Sequence, residues 1–391
     1  MKLYRSFATV GGMTMLSRVL GFVRDILIAS VLGTGAVADT FFVAFRFPNL
    51  FRRLFAEGAF NSAFIPLFSK KVEGEGATAA RQFANESLSA LVTALLILTA
   101  IAEISMPWLM YVIAPGFADS PEKFDLAVLL TRIAFPYLLF VSVVALYSGM
   151  MNALHRFAAA AFAPVLLNIV LISVMAGVAW AGYGNTPEAG MALAWGVAAG
   201  GVAQLLVLLF ASGRTGMRLK LQRPRMSDGV RRLLALGIPG VIAGGITQVN
   251  ILIGTIIASM QDSAVSWLYY ADRIYQLPLG LVGIAIGVVL LPDLSRKLRA
   301  RDRDGALHSQ NRSLELALLL TLPAAVALMV VPGPVIQVLL ERGAFAASDS
   351  IATSAALAAF AAGLPAFVMV KVFSPGFFAR EDTRTPMYFA G

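Results

Sequence analysis

Long apolar segments, separated by short polar connections, recur along the whole chain. A helix needs about 20 mostly apolar residues to cross the roughly 30 Å hydrocarbon core of a bilayer, and each of these segments reaches that length. The pattern therefore predicts an all-α polytopic integral membrane protein with about ten spans. The predicted spans are residues 8–33, 38–66, 86–112, 125–151, 159–182, 188–212, 233–260, 264–292, 312–340 and 351–378.

The composition supports the same class of protein. Apolar residues make up 58% of the 391 residues, charged residues only 14%, and the mean hydropathy is +0.78, which is far from the balance of a soluble domain. The sequence contains no cysteine, so disulfides and thiolate chemistry are excluded. The two histidines, His155 and His308, fall in predicted connections, and no metal site or histidine-based catalytic site can be assembled from them.

Basic residues are distributed unevenly between the connections. Most of the 31 Lys and Arg residues fall in alternate connections, whereas the intervening connections contain only Lys123 and Arg342. Because Lys and Arg concentrate in the loops that stay in the cytoplasm, the pattern predicts a cytoplasmic N-terminus. We interpret the formal net charge of +9 as a topology signal with contact to anionic inner-leaflet lipid, and no nucleic-acid partner is predicted.

The longest basic connection divides the predicted spans after the sixth. Shifting the sequence along itself aligns residues 65–71 with residues 291–297, and Arg46 with Arg273, at nearly the same offset. This offset indicates two parallel repeats with a site between them, which is typical of many transporters. The second repeat would extend beyond Gly391, so we expect its C-terminal spans to be missing. The predicted domains are residues 1–212 (first six-helix bundle), 213–232 (basic cytoplasmic linker) and 233–391 (truncated second bundle).

Several charged residues interrupt the predicted spans. Placing one charge at the centre of a bilayer costs about 2.5 to 3.5 kcal/mol on insertion scales, so a group of charges indicates a hydrated interior surface. Arginines outnumber the nearby carboxylates in these segments, and an anion would complete this cationic interior. The predicted anion-binding residues are Arg18, Arg24, Arg52 and Arg273.

A second set of charged residues is predicted to serve gating or charge pairing. Arg53 and Glu57 lie four residues apart, so a purely structural ion pair is an alternative to a role in binding. Arg46 and Arg132, near the ends of spans, could instead extend to the lipid headgroups. Lys371 is a second candidate for the cavity. The gating or pairing set is Asp25, Asp39, Arg53, Glu57 and Asp272. No role is assigned to Glu103, Asp293 and Glu315.

The segments that carry these charges resemble the MurJ (MviN) family of lipid II flippases, within the MOP (multidrug/oligosaccharidyl-lipid/polysaccharide) transporter superfamily. They are residues 17–25 (SRVLGFVRD), 38–66 (ADTFFVAFRFPNLFRRLFAEGAFNSAFIP), 266–273 (SWLYYADR) and 371–386 (KVFSPGFFAREDTRTP), and the resemblance extends over essentially the whole chain. It implies two helical bundles around a central cationic cavity that accepts the diphosphate headgroup of lipid II. The cavity arginines of the family match Arg18, Arg24, Arg52 and Arg273.

The resemblance implies a transporter and no enzyme. Its substrate would be lipid II, the undecaprenyl-diphosphate-linked disaccharide pentapeptide used in peptidoglycan biosynthesis. Alternating access would move it from the cytoplasmic to the periplasmic leaflet of the bacterial inner membrane. We expect a monomer without a cofactor or metal. Coupling to the membrane potential or to a monovalent cation stays open, with Gln248 and Asn250 as candidate ion ligands.

Two other functions are alternatives. A cation-coupled multidrug exporter of the same superfamily would share the spans and repeats, but it should place carboxylates where this chain places arginines. A membrane enzyme acting on polyprenyl diphosphates would also use arginines. Such an enzyme would need an Asp-rich metal motif or a histidine base within the membrane, and the sequence contains neither.

Overall fold

The computed structural model describes residues 2–53, 60–300 and 302–378, together with Arg380 and Thr385. Within these residues every regular element is a helix, so the predicted all-α class is confirmed. The α-helices are α1 (Lys2–Leu32), α2 (Ala36–Phe51), α3 (Phe60–Gly74), α4 (Gly76–Ile113), α5 (Pro121–Ala134), α6 (Tyr137–Ala153), α7 (Phe157–Trp180), α8 (Pro187–Arg214), α9 (Asp228–Ser259), α10 (Ala264–Arg299), α11 (Arg303–Val330), α12 (Pro332–Leu340) and α13 (Ala347–Phe378). A short 3-10 helix, Pro115–Asp119, lies between α4 and α5.

Six helical segments of the described chain are long and apolar enough to cross a membrane. The other predicted spans overlap α1, α2, α9 and α10, which are not among the six. One reason is that α2 has only 16 residues, and another is that α1 carries several charges. A multi-pass membrane protein is therefore supported, while the number of ten spans stays a prediction. The six segments are Gly76–Ile113, Pro121–Ala153, Phe157–Trp180, Pro187–Arg214, Arg303–Val330 and Ala347–Phe377.

Local sequence signals set the starts of the two helices that flank the longest connection. α8 begins where the Thr186 hydroxyl accepts a hydrogen bond from the Ala189 amide (3.4 Å), with Pro187 at the first helical position. α9 begins in the same way at Ser227, whose hydroxyl accepts from the Val230 amide (3.4 Å). In both caps a side-chain oxygen satisfies an amide of the first turn that has no partner within the helix. The sequence therefore determines where the connection between α8 and α9 stops.

The chain forms two compact units, Met1–Val265 and Ser266–Gly391. α9 belongs to the first unit, where it packs against α3 and α4. The sequence instead predicts that a second bundle starts at residue 233, so the boundary set by packing falls one helix later. The predicted division into residues 1–212, 213–232 and 233–391 rests on the sequence repeat. That repeat, and the division drawn from it, stay a prediction.

Aromatic packing joins α3, α4 and α6 in the first unit. Phe64, Phe68 and Phe83 are almost completely buried, and the Phe64 ring centroid lies 5.6 Å from each of the other two. Stacked aromatic pairs of this kind contribute about 0.5 to 1.5 kcal/mol beyond the burial of their area. Tyr147 and Met150 of α6 complete the cluster. This aromatic cluster holds the first turns of α4 in place, and those turns carry polar contacts considered below.

The second unit has its own smaller apolar core. Leu290 and Leu294 of α10 pack in one cluster with Val368 and Val372 of α13. Nearer the start of α10, the centroid of the Tyr275 ring lies 5.8 Å from that of Phe360 and 6.0 Å from that of Phe367, both on α13. α10 and α13 are thus in contact at more than one level of this unit.

Candidate functional site

Arg24 lies inside the first unit and is engaged by neighbouring side chains. Its guanidinium donates to Asp25 Oδ1 through Nε (3.0 Å) and Nη2 (2.7 Å). It also donates through Nη1 to Asn168 Oδ1 of α7 (2.9 Å). Only 7% of Arg24 and 4% of Asp25 are exposed, and the guanidinium carbon lies 5.8 Å from the Phe45 ring centroid. Arg24 and Asp25 therefore form a buried ion pair that is further bound by an amide.

Asn168 connects this pair to the preceding turns of α1. Its side-chain amide nitrogen donates to the Ser17 carbonyl oxygen (2.9 Å) and to the Ser17 hydroxyl (3.3 Å). A Cβ atom on Gly21 would lie 3.6 Å from that amide, so α1 approaches α7 closely beside Asn168. The carbonyl of Asn168 faces Arg24 while its NH₂ faces Ser17, so both ends of this buried amide are satisfied.

Arg18 has a different environment from Arg24. Its side chain is exposed, and no hydrogen bond or ion pair of Arg18 is found in the part of the chain that the structure describes. The structure thus separates two arginines that the sequence treats alike, since one is buried in an ion pair and the other is open. This difference agrees with their angular separation of about 240° on a helix.

Arg52 and Arg53 follow the end of α2. Arg52 is half-buried, and its Nε donates to Asn49 Oδ1 (2.9 Å), one turn earlier. Arg53 is exposed. Glu57, the predicted partner of Arg53, lies outside the described residues, so this pair stays a prediction.

Asp39 forms the centre of a second buried cluster in the first unit. It is 0% exposed, and its Oδ2 accepts from Lys123 Nζ of α5 (3.0 Å) and from the Ser263 backbone amide (3.0 Å). Lys123 is itself 6% exposed, donates to Asp262 Oδ1 (3.0 Å), and stands 4.6 Å from the Phe117 ring centroid. The predicted charge pairing of Asp39 thus has a specific partner, Lys123. This cluster joins the first turns of α2 and α5 to the turn that follows α9.

The turn after α9 is held by a second contact. The Gly116 amide donates to the Ser259 hydroxyl (3.2 Å). A Cβ atom on Gly116 would come within 2.2 Å of the Ser259 carbonyl oxygen, so no side chain fits there. Ser263, in the same turn, has a left-handed φ of 64°, which is uncommon for a residue other than glycine. Close backbone packing therefore accompanies the charge cluster.

We expect Gly116→Ala to destabilise the first unit severely, because the new methyl group meets main chain and cannot be accommodated by a rotamer change. Overpacking a tight contact costs about 1 to 3 kcal/mol, and a clash with backbone lies at the upper end. Gly177→Ala on α7 is the matched control, since no atom lies within 4 Å of the Cβ position there. The measurement is the thermal unfolding temperature of each variant in detergent. Equal unfolding temperatures for the two variants would contradict the close contact.

Arg46 points into the first unit. Its Nη1 donates to the Thr255 hydroxyl of α9 (2.9 Å), and Arg46 is half-buried. A small recess beside this bond is lined by Val43, Phe47 and Leu252, among others. The alternative in which Arg46 extends to the lipid headgroups is therefore wrong. A hydroxyl on a neighbouring helix can hold the guanidinium inside the bundle, and sequence spacing does not reveal such a partner.

The second unit contains the remaining predicted site residues. Arg273 donates through Nη2 to the Tyr269 hydroxyl (3.2 Å), and its guanidinium carbon stands 4.7 Å from the centroid of that ring. Asp272 accepts a hydrogen bond from Gln276. Lys371 is exposed on α13. Asp272 and Arg273 are adjacent in sequence, and each bonds a residue one turn away on α10.

Two of the three carboxylates left without a role, Asp293 and Glu315, have local partners. Asp293 accepts from Lys297 (2.8 Å), from Arg296 (2.7 Å) and from the Ser309 hydroxyl (2.6 Å). Hydrogen bonds from Lys297, Ser309 and Arg296 hold the pKa of the Asp293 carboxyl well below its usual range. Glu315 pairs with Arg312 (2.9 Å), and the Glu103 carbonyl accepts from the exposed Arg132 (3.1 Å).

No metal-binding cluster is present among the described residues, where no group of three or more His, Cys, Asp or Glu side chains comes together. Gln248 is half-buried and Asn250 is exposed on α9. Among the predicted cations, Arg18 and Lys371 are exposed, and Arg52 and Arg273 are half-buried. The two buried carboxylates, Asp25 and Asp39, each pair with a cation.

Two residues of these clusters are missing from the predicted site. Lys123 is classed by its sequence position as a connection residue, and its isolation in an otherwise weakly basic connection is the one signal that could have singled it out. Asn168 stands in the apolar run of α7, where a single amide is usually a contact between helices. In both cases the partner is far away along the chain.

Comparisons with known proteins place the chain in a family. The family model described as "Lipid II flippase MurJ" matches residues 28–390. A probable lipid II flippase MurJ of Rhizobium meliloti (strain 1021) is 53% identical over 392 residues, which include 100% of this chain and 73% of that protein. The lipid II flippase MurJ of Burkholderia cenocepacia is 38% identical over 395 residues, with 100% of this chain and 76% of that protein covered.

Solved structures show the same fold. A structure titled "Lipid II flippase MurJ, inward closed conformation" has a TM-score of 0.81 at 26% identity, covering 97% of this chain and 78% of that one. An inward-facing multidrug resistance MATE family transporter of the MOP superfamily has a TM-score of 0.78 at 13% identity, covering 98% and 86%. At that identity the second match concerns the fold alone. The matched family model and the two relatives agree, and the chain belongs to the MurJ family of lipid II flippases.

Proposed function

We propose that this chain carries lipid II from the cytoplasmic to the periplasmic leaflet of the bacterial inner membrane by alternating access. The observation that carries the proposal is the 53% identity to a probable lipid II flippase over the full length of this chain. The arginines within α1, at the end of α2 and within α10 add a chemical reason, because a diphosphate headgroup is a dianion that requires cationic ligands.

The proposed headgroup ligands are Arg18, Arg24, Arg52 and Arg273. A planar guanidinium can bind phosphate with two parallel N–H···O bonds, which fixes orientation as well as charge. Arg18 is exposed and ready for such a contact, whereas Arg24 is bound to Asp25 and Asn168. Arg24 would therefore exchange a carboxylate for a phosphate when the substrate enters, so that the guanidinium is never left without an anion.

The proposed membrane arrangement has ten spans, a cytoplasmic N-terminus and a monomeric transporter without a cofactor. A membrane potential that is negative inside acts on each net charge moved by about 2.3 kcal/mol per 100 mV, so it is a sufficient drive for a small number of charges. In this arrangement the connection between α8 and α9 is cytoplasmic, and the connection between α4 and α5 is periplasmic.

Introduced cysteines test this orientation, because the chain has none of its own. Ser120 and Met226 are exposed and lie in the two connections just named. We expect Ser120→Cys in intact cells to react with a membrane-impermeant maleimide, and Met226→Cys to react only after the membrane is opened. The reverse pattern would overturn the orientation of every loop.

Binding measurements test the substrate. The purified chain in lipid nanodiscs should bind lipid II in preference to undecaprenyl phosphate and to a cationic dye, because only lipid II offers the diphosphate together with the disaccharide pentapeptide. Arg18→Ala should weaken lipid II binding, while Arg132→Ala, an exposed arginine outside the proposed site, should not. Preference for the dye would instead identify a drug exporter and refute the proposal.

A further inference from the structure

Two basic connections of this protein differ in how their charges are compensated. The last turn of α8 and the connection that follows it, residues 213–227, contain five basic residues and no acidic one. The basic segment around the junction of α10 and α11, residues 293–312, is also rich in Lys and Arg. Within it Asp293 accepts from Arg296 and Lys297, and Glu315, just beyond it, accepts from Arg312. The basic residues of the first connection are Arg214, Arg218, Lys220, Arg223 and Arg225.

The main chain of the first connection is fixed along α4. We call residues 215–227 the strap. The Lys220 amide donates to Asn85 Oδ1 (2.8 Å), and the Gln222 amide donates to the Ser89 hydroxyl (2.8 Å). Four residues of helix rise about 6 Å, which matches two residues of extended chain at about 6.6 Å. Asn85 and Ser89 are buried, so α4 presents two fixed hydrogen-bond acceptors, one turn apart, to the main chain of the strap. We call these two hydrogen bonds the ladder.

At residues 217–220 the strap alternates between apolar side chains that pack inward and exposed cations, and residues 221–226 are all exposed. Met217 is 5% exposed and Leu219 packs against the aromatic cluster of the first unit. Arg218 lies between these two apolar residues and Lys220 follows them, and both cations are exposed. A period of two places successive side chains on opposite faces of an extended chain. The same contacts that bury the apolar side chains therefore direct the cations away from the protein.

Both flanks of the strap carry features of a membrane interface. Arg214, the last residue of α8, lies 4.3 Å from the ring centroid of the exposed Phe210. Leu221 and Met226 are 66% and 58% exposed, and they lie among the arginines of the strap. Apolar side chains between cations fit a bilayer surface, where the apolar groups enter the acyl boundary and the cations meet phosphates. No carboxylate bonds Lys220, Arg223 or Arg225 within the described residues.

We propose that the strap is a binding surface for the phosphate groups of anionic membrane lipids, with Lys220, Arg223 and Arg225 as its ligands. Because the main chain is already fixed at Lys220 and Gln222, ordering the backbone costs less on binding than it would on a flexible loop with the same charges. The inference does not depend on lipid II as the transported substrate. It distinguishes the strap from the basic connection after α10, whose charges are partly neutralised within the protein.

The test is a titration of the purified chain in neutral detergent with dihexanoyl phosphatidylglycerol, followed by calorimetry. One cation near an anionic surface contributes about five-fold in binding, so Lys220→Gln/Arg223→Gln/Arg225→Gln should bind about 100-fold more weakly. The control removes the same charge from the other connection, as Arg296→Gln/Arg299→Gln/Arg312→Gln. It should bind within about two-fold of the unchanged chain, because Arg296 and Arg312 already pair with carboxylates and Arg299 bonds the Ser295 carbonyl.

Two further titrations test alternative ligands for the strap. Dihexanoyl phosphatidylcholine and inorganic phosphate are titrated under the same conditions. Equal binding of phosphatidylcholine would show that net lipid charge is not recognised, and equal binding of inorganic phosphate would show a site for a free anion. Either result overturns the proposal. An equal loss in the control variant would also overturn it, because the effect would then reflect total charge.

Ser89→Ala tests the contribution of the ladder without changing any charge. It removes the acceptor of the Gln222 amide, so hydrogen exchange at Gln222 should become faster and phosphatidylglycerol should bind more weakly. Should exchange accelerate while binding is unchanged, preorganisation by α4 is refuted. This variant also keeps the proposal testable if the triple strap variant does not fold.

Discussion

Lys123→Met is expected to destabilise the protein by about 3 to 5 kcal/mol, the cost of removing one partner of a buried ion pair. Asp39 is 0% exposed, and Lys123 is a cation that bonds it. Methionine preserves most of the length and apolar stem of lysine, so the variant removes the charge with little loss of packing. The measurements are the thermal unfolding temperature in detergent and the abundance of the protein in membranes.

Two controls separate the buried pair from ordinary surface pairing. Lys71→Met breaks the exposed pair with Glu75 (2.8 Å), and a pair of that kind contributes about 0.3 to 0.5 kcal/mol. Asp262→Asn removes the second carboxylate that Lys123 bonds. Because the Asp262 side chain is 97% exposed, this substitution should also have a small effect. Similar unfolding temperatures for Lys123→Met and Lys71→Met would show that Asp39 does not depend on Lys123.

The double variant Lys123→Met/Asp39→Asn provides the stricter test. An uncharged amide is less costly to bury than an unpaired carboxylate, so adding Asp39→Asn should restore part of the stability lost in Lys123→Met. The single variant Asp39→Asn completes the comparison. If the destabilisation of the double variant equals the sum of the two single variants, the two side chains act independently and the ion pair contributes no coupling.

The sequence is informative where a signal is local. The apolar segments predict the helices, because the length of an apolar run and the absence of turn residues are visible in any window. The arginines within α1 are also visible, since a charge in an apolar run stands out whatever surrounds it. Arg24 and Asp25 are adjacent, but neighbouring residues of a helix do not normally face each other, so the spacing does not predict their pairing.

Long-range partners are not visible in the same way. Lys123 pairs with Asp39 from 84 positions away, and Arg46 bonds Thr255 from 209 positions away. A local pattern contains no information about which helix will face which, because helix faces are selected by packing. That is why Lys123 is predicted as a loop residue although it is buried. It is also why contact with the headgroups is an alternative for Arg46 in the sequence, although Arg46 points inward.

Composition also hides the difference between the two basic connections. Both read as cytoplasmic positive charge, and hydropathy cannot separate them. The structure separates them through Asp293, which binds Arg296 and Lys297, and through Asn85, which binds the main chain at Lys220. Neither acceptor stands out in the sequence, because a polar residue near the end of a helix is ordinary.

Arg24 and Arg18 should fail in different ways when replaced by alanine. Arg24→Ala removes a cation that bonds Asp25, which is only 4% exposed, so we expect a loss of about 3 to 5 kcal/mol and low membrane abundance. Arg18→Ala removes an exposed side chain and should leave abundance normal, while lipid II export falls because a phosphate ligand is lost. Abundance by immunoblot and export into vesicles are measured on the same membranes.

A second substitution distinguishes stability from binding at Arg24. In Arg24→Gln/Asp25→Asn both charges are absent, and the new amides can still bond Asn168, so abundance should recover while export stays low. The single variant Arg24→Lys keeps the ion pair with Asp25 but loses the planar two-donor fork of the guanidinium. This variant should therefore be abundant and export poorly. Recovery of export together with abundance in Arg24→Gln/Asp25→Asn would show that Arg24 serves the fold alone. The headgroup would then have to be bound by the other arginines, Arg18, Arg52 and Arg273, without it.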